Sequence, residues 1–133
     1  MSARLVVDTS AYAGLMRGHS GVVSALGRAT VALVPSIVLG ELHGGFVLGS
    51  RRAANEQALS EFLAEPFVRV APVTQEVALR YGELWASLRR AGTPLPINDV
   101  WIAAVALDAG ATVLSFDTDF ERVPGLALLR LQG

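Results

Sequence analysis

Cysteine and lysine are both missing from this sequence. Without cysteine there is no disulfide framework, no thiolate zinc site and no cysteine nucleophile, and the chain is compatible with a reducing cytoplasm. Without lysine, every mechanism that needs a side-chain amine is excluded. All eleven basic residues are arginine, a bias that a high-GC genome is enough to produce. Long apolar runs are missing too, since Arg, Asp, Glu or Gly-Pro punctuation interrupts each one before it could cross a bilayer. At the start, Met1-Ser2-Ala3-Arg4 leads into Leu5-Val6-Val7-Asp8, too short for a signal-peptide core. A soluble, cytoplasmic protein with no membrane attachment is expected. An excess of positive charge is also lacking: the formal net charge is −1, so any nucleic-acid contact must be local.

What is present fits an ordinary folded chain. At 133 residues, one domain over 1–133 is expected, large enough to enclose a core. The composition is 52% hydrophobic and 17% charged, with a mean hydropathy of +0.46, far from the signature of disorder. Two explanations of that greasiness stay open. One is a dense core; the other is an apolar patch reserved for a partner or a second copy, with Val22, Leu26, Leu48, Leu59, Phe62, Leu84 and Trp85 as contributors.

Along the chain, short apolar runs alternate with longer helical patterns. Strands are expected at Leu5 to Val7, Val31 to Val34, Phe67 to Val73, Thr112 to Phe116 and, as an edge, Leu126 to Leu131. Helices are expected from near Ala11, with Thr9 and Ser10 as cap, over Val22 to Leu26, and from Pro35-Ser36 through Phe46. Further helices are expected over Arg51 to Ala64, from Thr74 to near Arg90, and from an Asn98-Asp99 cap to Ala109, with Gly110 as the stop. This order predicts an α/β fold: a central, mostly parallel sheet flanked by helices on both faces.

The aspartates fall in a pattern. Of five, Asp8, Asp99, Asp117 and Asp119 sit where a strand ends or a helix begins, and Asp108 does not. Active sites in open parallel sheets form at the carboxyl ends of the strands. Glu41 lies inside the apolar stretch Ile37-Val38-Leu39-Gly40-Glu41-Leu42, where an unpaired charge is costly. Bringing such acids together without a cation is self-defeating, because each like-charged pair at about 4 Å costs about 4 kcal/mol at an effective dielectric near 20. Oxygen-only ligands point to a hard ion, Mg²⁺ or Mn²⁺, and phosphodiester hydrolysis is the chemistry best matched to it. Taken singly, Asp8-Thr9-Ser10 and Asn98-Asp99 are also ordinary helix caps, and Asp117-Thr118-Asp119 an ordinary turn.

Four segments carry a family resemblance: Val7-Asp8-Thr9-Ser10, Pro35-Ser36-Ile37-Val38-Leu39-Gly40-Glu41-Leu42, Ile97-Asn98-Asp99-Val100-Trp101-Ile102-Ala103-Ala104, and Leu114-Ser115-Phe116-Asp117-Thr118-Asp119-Phe120. In content and order they resemble the successive signatures of PIN-domain ribonucleases, and the chain length is similar to that of VapC-type toxins of toxin–antitoxin pairs. The resemblance implies a metal-dependent endoribonuclease whose site is Asp8, Glu41, Asp99 and Asp117. It makes Asp119 auxiliary, with Ser10 and Ser115 as small polar neighbours and Asn98 beside the site without a catalytic role. It also implies an RNA substrate, a small VapB-like antitoxin and a homodimer.

Other readings compete. A phosphoaspartyl phosphatase or receiver domain also places Asp at strand ends, but both need a lysine, and Ser10 stands where the phosphatase pattern wants a second Asp. An RNA-processing PIN nuclease outside any toxin pair is the nearer alternative. A binding module that lost its chemistry would have little reason to keep four acids at close quarters. His19 and His43 are expected to be surface or helix residues, and Gly44-Gly45 marks a helix end or a close backbone approach. Arg17, Arg51, Arg52, Arg89 and Arg90 are candidate phosphate contacts.

Overall fold

The computed structural model describes residues 3–133; Met1 and Ser2, where the reading of the amino terminus begins, lie outside them. Five strands form one sheet: β1 (Arg4–Val7), β2 (Val31–Pro35), β3 (Val68–Ala71), β4 (Thr112–Ser115) and β5 (Leu128–Arg130). Their order is β3-β2-β1-β4-β5, with every neighbouring pair parallel. Parallel neighbours need crossovers, supplied by α1 (Thr9–Met16), α2 (Ser20–Gly27), α3 (Ser36–Leu48), α4 (Arg52–Leu63), α5 (Gln75–Arg90) and α6 (Ile97–Ala109). A 3-10 turn, Thr118–Arg122, joins β4 to β5.

Burial explains which runs became which strands. Leu5, Val6 and Val7 are all buried in succession, so β1 is covered on both faces, as a central parallel strand must be. The outer strands β3 and β5 are partly exposed, which is why their runs look weaker and came out shorter than Phe67 to Val73 and Leu126 to Leu131. Pro72, which cannot donate to a ladder, follows the last residue of β3. Fully buried Val22, Val38, Leu59, Val100 and Ile102 from the helices meet Val34, Val113 and Leu114 of the sheet. The stop at Gly110 is as expected: it takes φ 62°, a left-handed C-cap natural only to glycine.

Several expectations are corrected. Of the residues proposed as an exposed apolar patch, Val22, Leu26, Leu59, Phe62 and Leu84 are buried in the core, because each lies on the inward face of its helix; Leu48 and Trp85 are exposed. The cap of α1 is Asp8 itself, not Thr9 or Ser10, and α1 starts at Thr9. Similarly, α6 begins at Ile97 behind Pro96, which places Asn98 and Asp99 inside its first turn instead of at the cap. Gly44-Gly45 ends nothing, since α3 runs on to Leu48. Among the described residues, no helix is long and apolar enough to cross a membrane.

Candidate active site

The strand order sets the place of the site. After β1 the chain winds outward through β2 to β3, then returns to lay β4 against the other side of β1. Connections therefore leave β1 and β4 in opposite directions, which opens a crevice at their carboxyl ends. Asp8 follows β1 directly and Asp117 stands two residues past β4. A cleft there is lined by Asp8, Thr9, Ser10, Ala13, Glu41, Asp99, Ile102 and Asp117, so all four principal acids expected from the sequence share it.

Asp8 is only 5% exposed and works as a junction. Its Oδ1 accepts the Ala11 N–H at 2.8 Å, capping α1, and the Ser10 hydroxyl at 2.8 Å. Its Oδ2 accepts the hydroxyl of fully buried Ser115 on β4. Ser10 Oγ in turn accepts the Phe116 N–H at 3.1 Å, and Ser115 Oγ accepts the Asp117 N–H at 2.9 Å. One small network thus ties β1, α1 and the end of β4 together. Burial pushes the Asp8 carboxyl above its ordinary range; the bonds from Ser115, Ala11 and Ser10 oppose that shift, and the charge of Asp117 adds to it.

On the other wall, Asp99 projects from the first turn of α6, and the turn after β4 brings Asp119 back beside Asp117. Asp117 Oδ1 accepts the Asp119 N–H at 2.8 Å, which closes that turn. Asp99, Asp117 and Asp119 each offer a carboxylate oxygen, all within 4.8 Å of one another. The Asp99 carboxyl is raised to about 7, first by burial and then by the charges of Asp117, Asp119, Asp8 and Glu41. Three hard oxygen donors that repel one another, one half-protonated near neutrality, form a set that a divalent cation suits and whose repulsion it would relieve.

The grouping differs from the sequence reading in emphasis. Asp119, expected to be auxiliary, stands in the tight cluster, whereas Asp8 and Glu41 line the same cleft outside it. Glu41 is not in an apolar setting: it is exposed, and Thr9 donates its hydroxyl to Glu41 Oε1 at 2.8 Å. Thr9 is the site residue that the sequence reading missed, since beside Asp8 it looked like a cap. His19 and His43 stay outside the cleft lining, His19 accepting the Val22 N–H and His43 lying 3.9 Å from Glu56. Among the candidate arginines, Arg52 pairs with Glu56, Arg89 lies over Trp85, and Arg17 lies over the ring of Phe116, next to Asp117.

Known proteins are similar to this chain in sequence and fold. Residues 5–126 match the family model described as PIN domain. Ribonuclease VapC4 of Mycobacterium tuberculosis is 32% identical over 99 residues, 74% of this chain and 75% of that protein. The crystal structure of VapBC-5 from Mycobacterium tuberculosis, a member of the VapBC family of toxin–antitoxin systems, superposes with a TM-score of 0.74 at 27% identity over 97% of this chain and 99% of that one. VapBC2 of Rickettsia felis shares the fold, with a TM-score of 0.85 at 24% identity over 97% of this chain and 99% of that one. The family match spans β1 to β4 and includes every acid of the cleft: the chain belongs to the PIN-domain family.

Proposed function

We propose that this chain is a metal-dependent endoribonuclease and the toxin of a toxin–antitoxin pair. The observation that carries the reading is the convergence of Asp99, Asp117 and Asp119 within 4.8 Å at the crevice between β1 and β4, in a chain 32% identical to a ribonuclease. These three would hold Mg²⁺ or Mn²⁺, with Asp8 and Glu41 adding negative charge from the opposite wall. A bound divalent ion supplies charge neutralisation on a phosphate and activation of water for its hydrolysis. The chain's own residues prepare the cleft. Ser10 and Ser115 fix Asp8 and favour its carboxylate against the pull of burial, Asp117 orders the turn that presents Asp119, and Thr9 holds Glu41 at the rim, where water reaches it. Arg17, over the ring of Phe116, would be a contact for an RNA phosphate.

A toxin needs a partner to silence it, and VapBC-5 is a toxin–antitoxin assembly. A groove of about 490 Å³, with Leu15, Val23, Ala29 and Phe67 at its surface over buried Leu26 and Phe62, offers apolar surface for a small antitoxin. The test of the chemistry is RNA cleavage by the purified chain. It should be silenced by EDTA, restored by Mg²⁺ or Mn²⁺, and reduced at least about a hundredfold in Asp99→Asn. Undiminished cleavage in EDTA, or by the variant, overturns the metal reading.

A further inference from the structure

Arg122, at the end of the 3-10 turn, bridges that turn and the loop before α6. One guanidinium nitrogen lies 3.2 Å from Asp119 Oδ1, and the other donates to the Pro94 carbonyl at 3.2 Å. Pro94 belongs to the loop that leads into α6, the helix carrying Asp99. Glu121, the neighbouring acid on the turn, is already taken by Arg130 at 3.3 Å, which leaves Arg122 to Asp119. Among the described residues, Asp119 is the one member of the tight cluster with an arginine at ion-pair distance. An isolated pair this exposed contributes little to stability. Here the carboxylate it engages is one of three crowded together, so the guanidinium acts on the whole cluster.

Resting on the metal-dependent reading above, we infer that Arg122 is the built-in counter-ion of the acid cluster: by pairing with Asp119 it offsets repulsion in the metal-free site and opposes entry of the divalent cation. It is a positioning residue that acts through Asp119. At a separation of roughly 6 Å in a water-like dielectric, a unit charge and a divalent ion repel enough to change affinity about tenfold. The guanidinium and the cation therefore compete for the Asp119 carboxylate, and metal loading is favoured when Arg122 loosens its hold.

The test is calorimetric titration of Mn²⁺ into the purified full chain at low ionic strength, alongside melting of the metal-free protein. Arg122→Ala should bind Mn²⁺ about tenfold tighter than the parent while melting lower without metal. Arg122→Lys, which keeps the charge, should stay within about threefold of the parent. In an Asp119→Asn background the gain from Arg122→Ala should shrink to about twofold or less, because the partner that holds the guanidinium at the cluster is gone. Unchanged or weaker Mn²⁺ binding by Arg122→Ala overturns the inference, as does an undiminished gain in the Asp119→Asn background. A parent protein that takes up no Mn²⁺ overturns the metal reading of the site itself, a result distinct from either of these.

Discussion

At Asp8 both carboxylate oxygens are engaged by donors from two other elements, whereas the Asp99 carboxyl is burdened first by burial and then by the charges of four other acids. Removing each should therefore move stability in opposite directions. Asp8→Ala strips α1 of its cap and leaves the buried Ser115 hydroxyl without its acceptor, a loss of about 2–3 kcal/mol in denaturant unfolding. Asp99→Asn removes a repelled charge, and the metal-free variant should melt above the parent at pH 8. The sign follows from linkage. With its carboxyl raised from 3.8 to about 7, the folded protein holds a proton that the unfolded chain has released. Stability of the metal-free protein therefore falls as pH rises from about 4 to about 7 and levels off above. Melting curves across that range should flatten in Asp99→Asn, and a slope equal to the parent's would place the shifted proton elsewhere. Thr9 belongs to the same scale: its contact with Glu41 joins residues 32 apart, and no local pattern announces it.

Helices α1 and α3 both carry interior glycines, and their packing gives these opposite meanings. A Cβ on Gly14 of α1 would lie 2.8 Å from Phe116 Cε2 and 2.9 Å from Val22 Cγ2, and Val22 is fully buried. The glycine lets α1 approach the ring that precedes Asp117, so Gly14→Ala should destabilise by about 1 kcal/mol net, overcrowding outweighing the better helix propensity of alanine. Gly44 of α3 meets nothing within 4 Å, and Gly44→Ala should stabilise by about 0.5–1 kcal/mol. Chemical denaturation of the two variants checks both signs. Element type and order were legible from the period of the apolar residues, as in the buried Val100, Ala103 and Ala104 of α6. Cap residues were not, because Asp, Thr and Ser in a row all satisfy the same local chemistry and only the path of the backbone selects Asp8.

For the molecule as a whole, the exposed apolar residues that remain, Leu48 at 91% and Leu79 at 64% among them, call for cover. A homodimer and a small antitoxin are the expected partners. Light scattering should give twice the 14.0 kDa chain mass, and expression alone should arrest growth until a cognate antitoxin is co-expressed. A strict monomer whose active form is harmless to its host would favour an RNA-processing PIN nuclease instead.

By itself the sequence determined the chemistry on offer and the family. It held oxygen ligands without thiols or amines, carboxylates at strand ends, and a parallel sheet, because these follow from residue identity and from local periodicity. Only the tertiary structure decided which carboxylates meet. Asp119 was auxiliary in sequence and stands in the tight cluster, while Asp8 is committed to hydrogen bonds between β1, α1 and β4. That outcome depends on β4 lying against β1, between residues more than a hundred positions apart, and on a turn that folds Asp119 back toward α6. The same long-range closure placed Arg122 against Asp119 and Pro94, a contact set by the meeting of two loops.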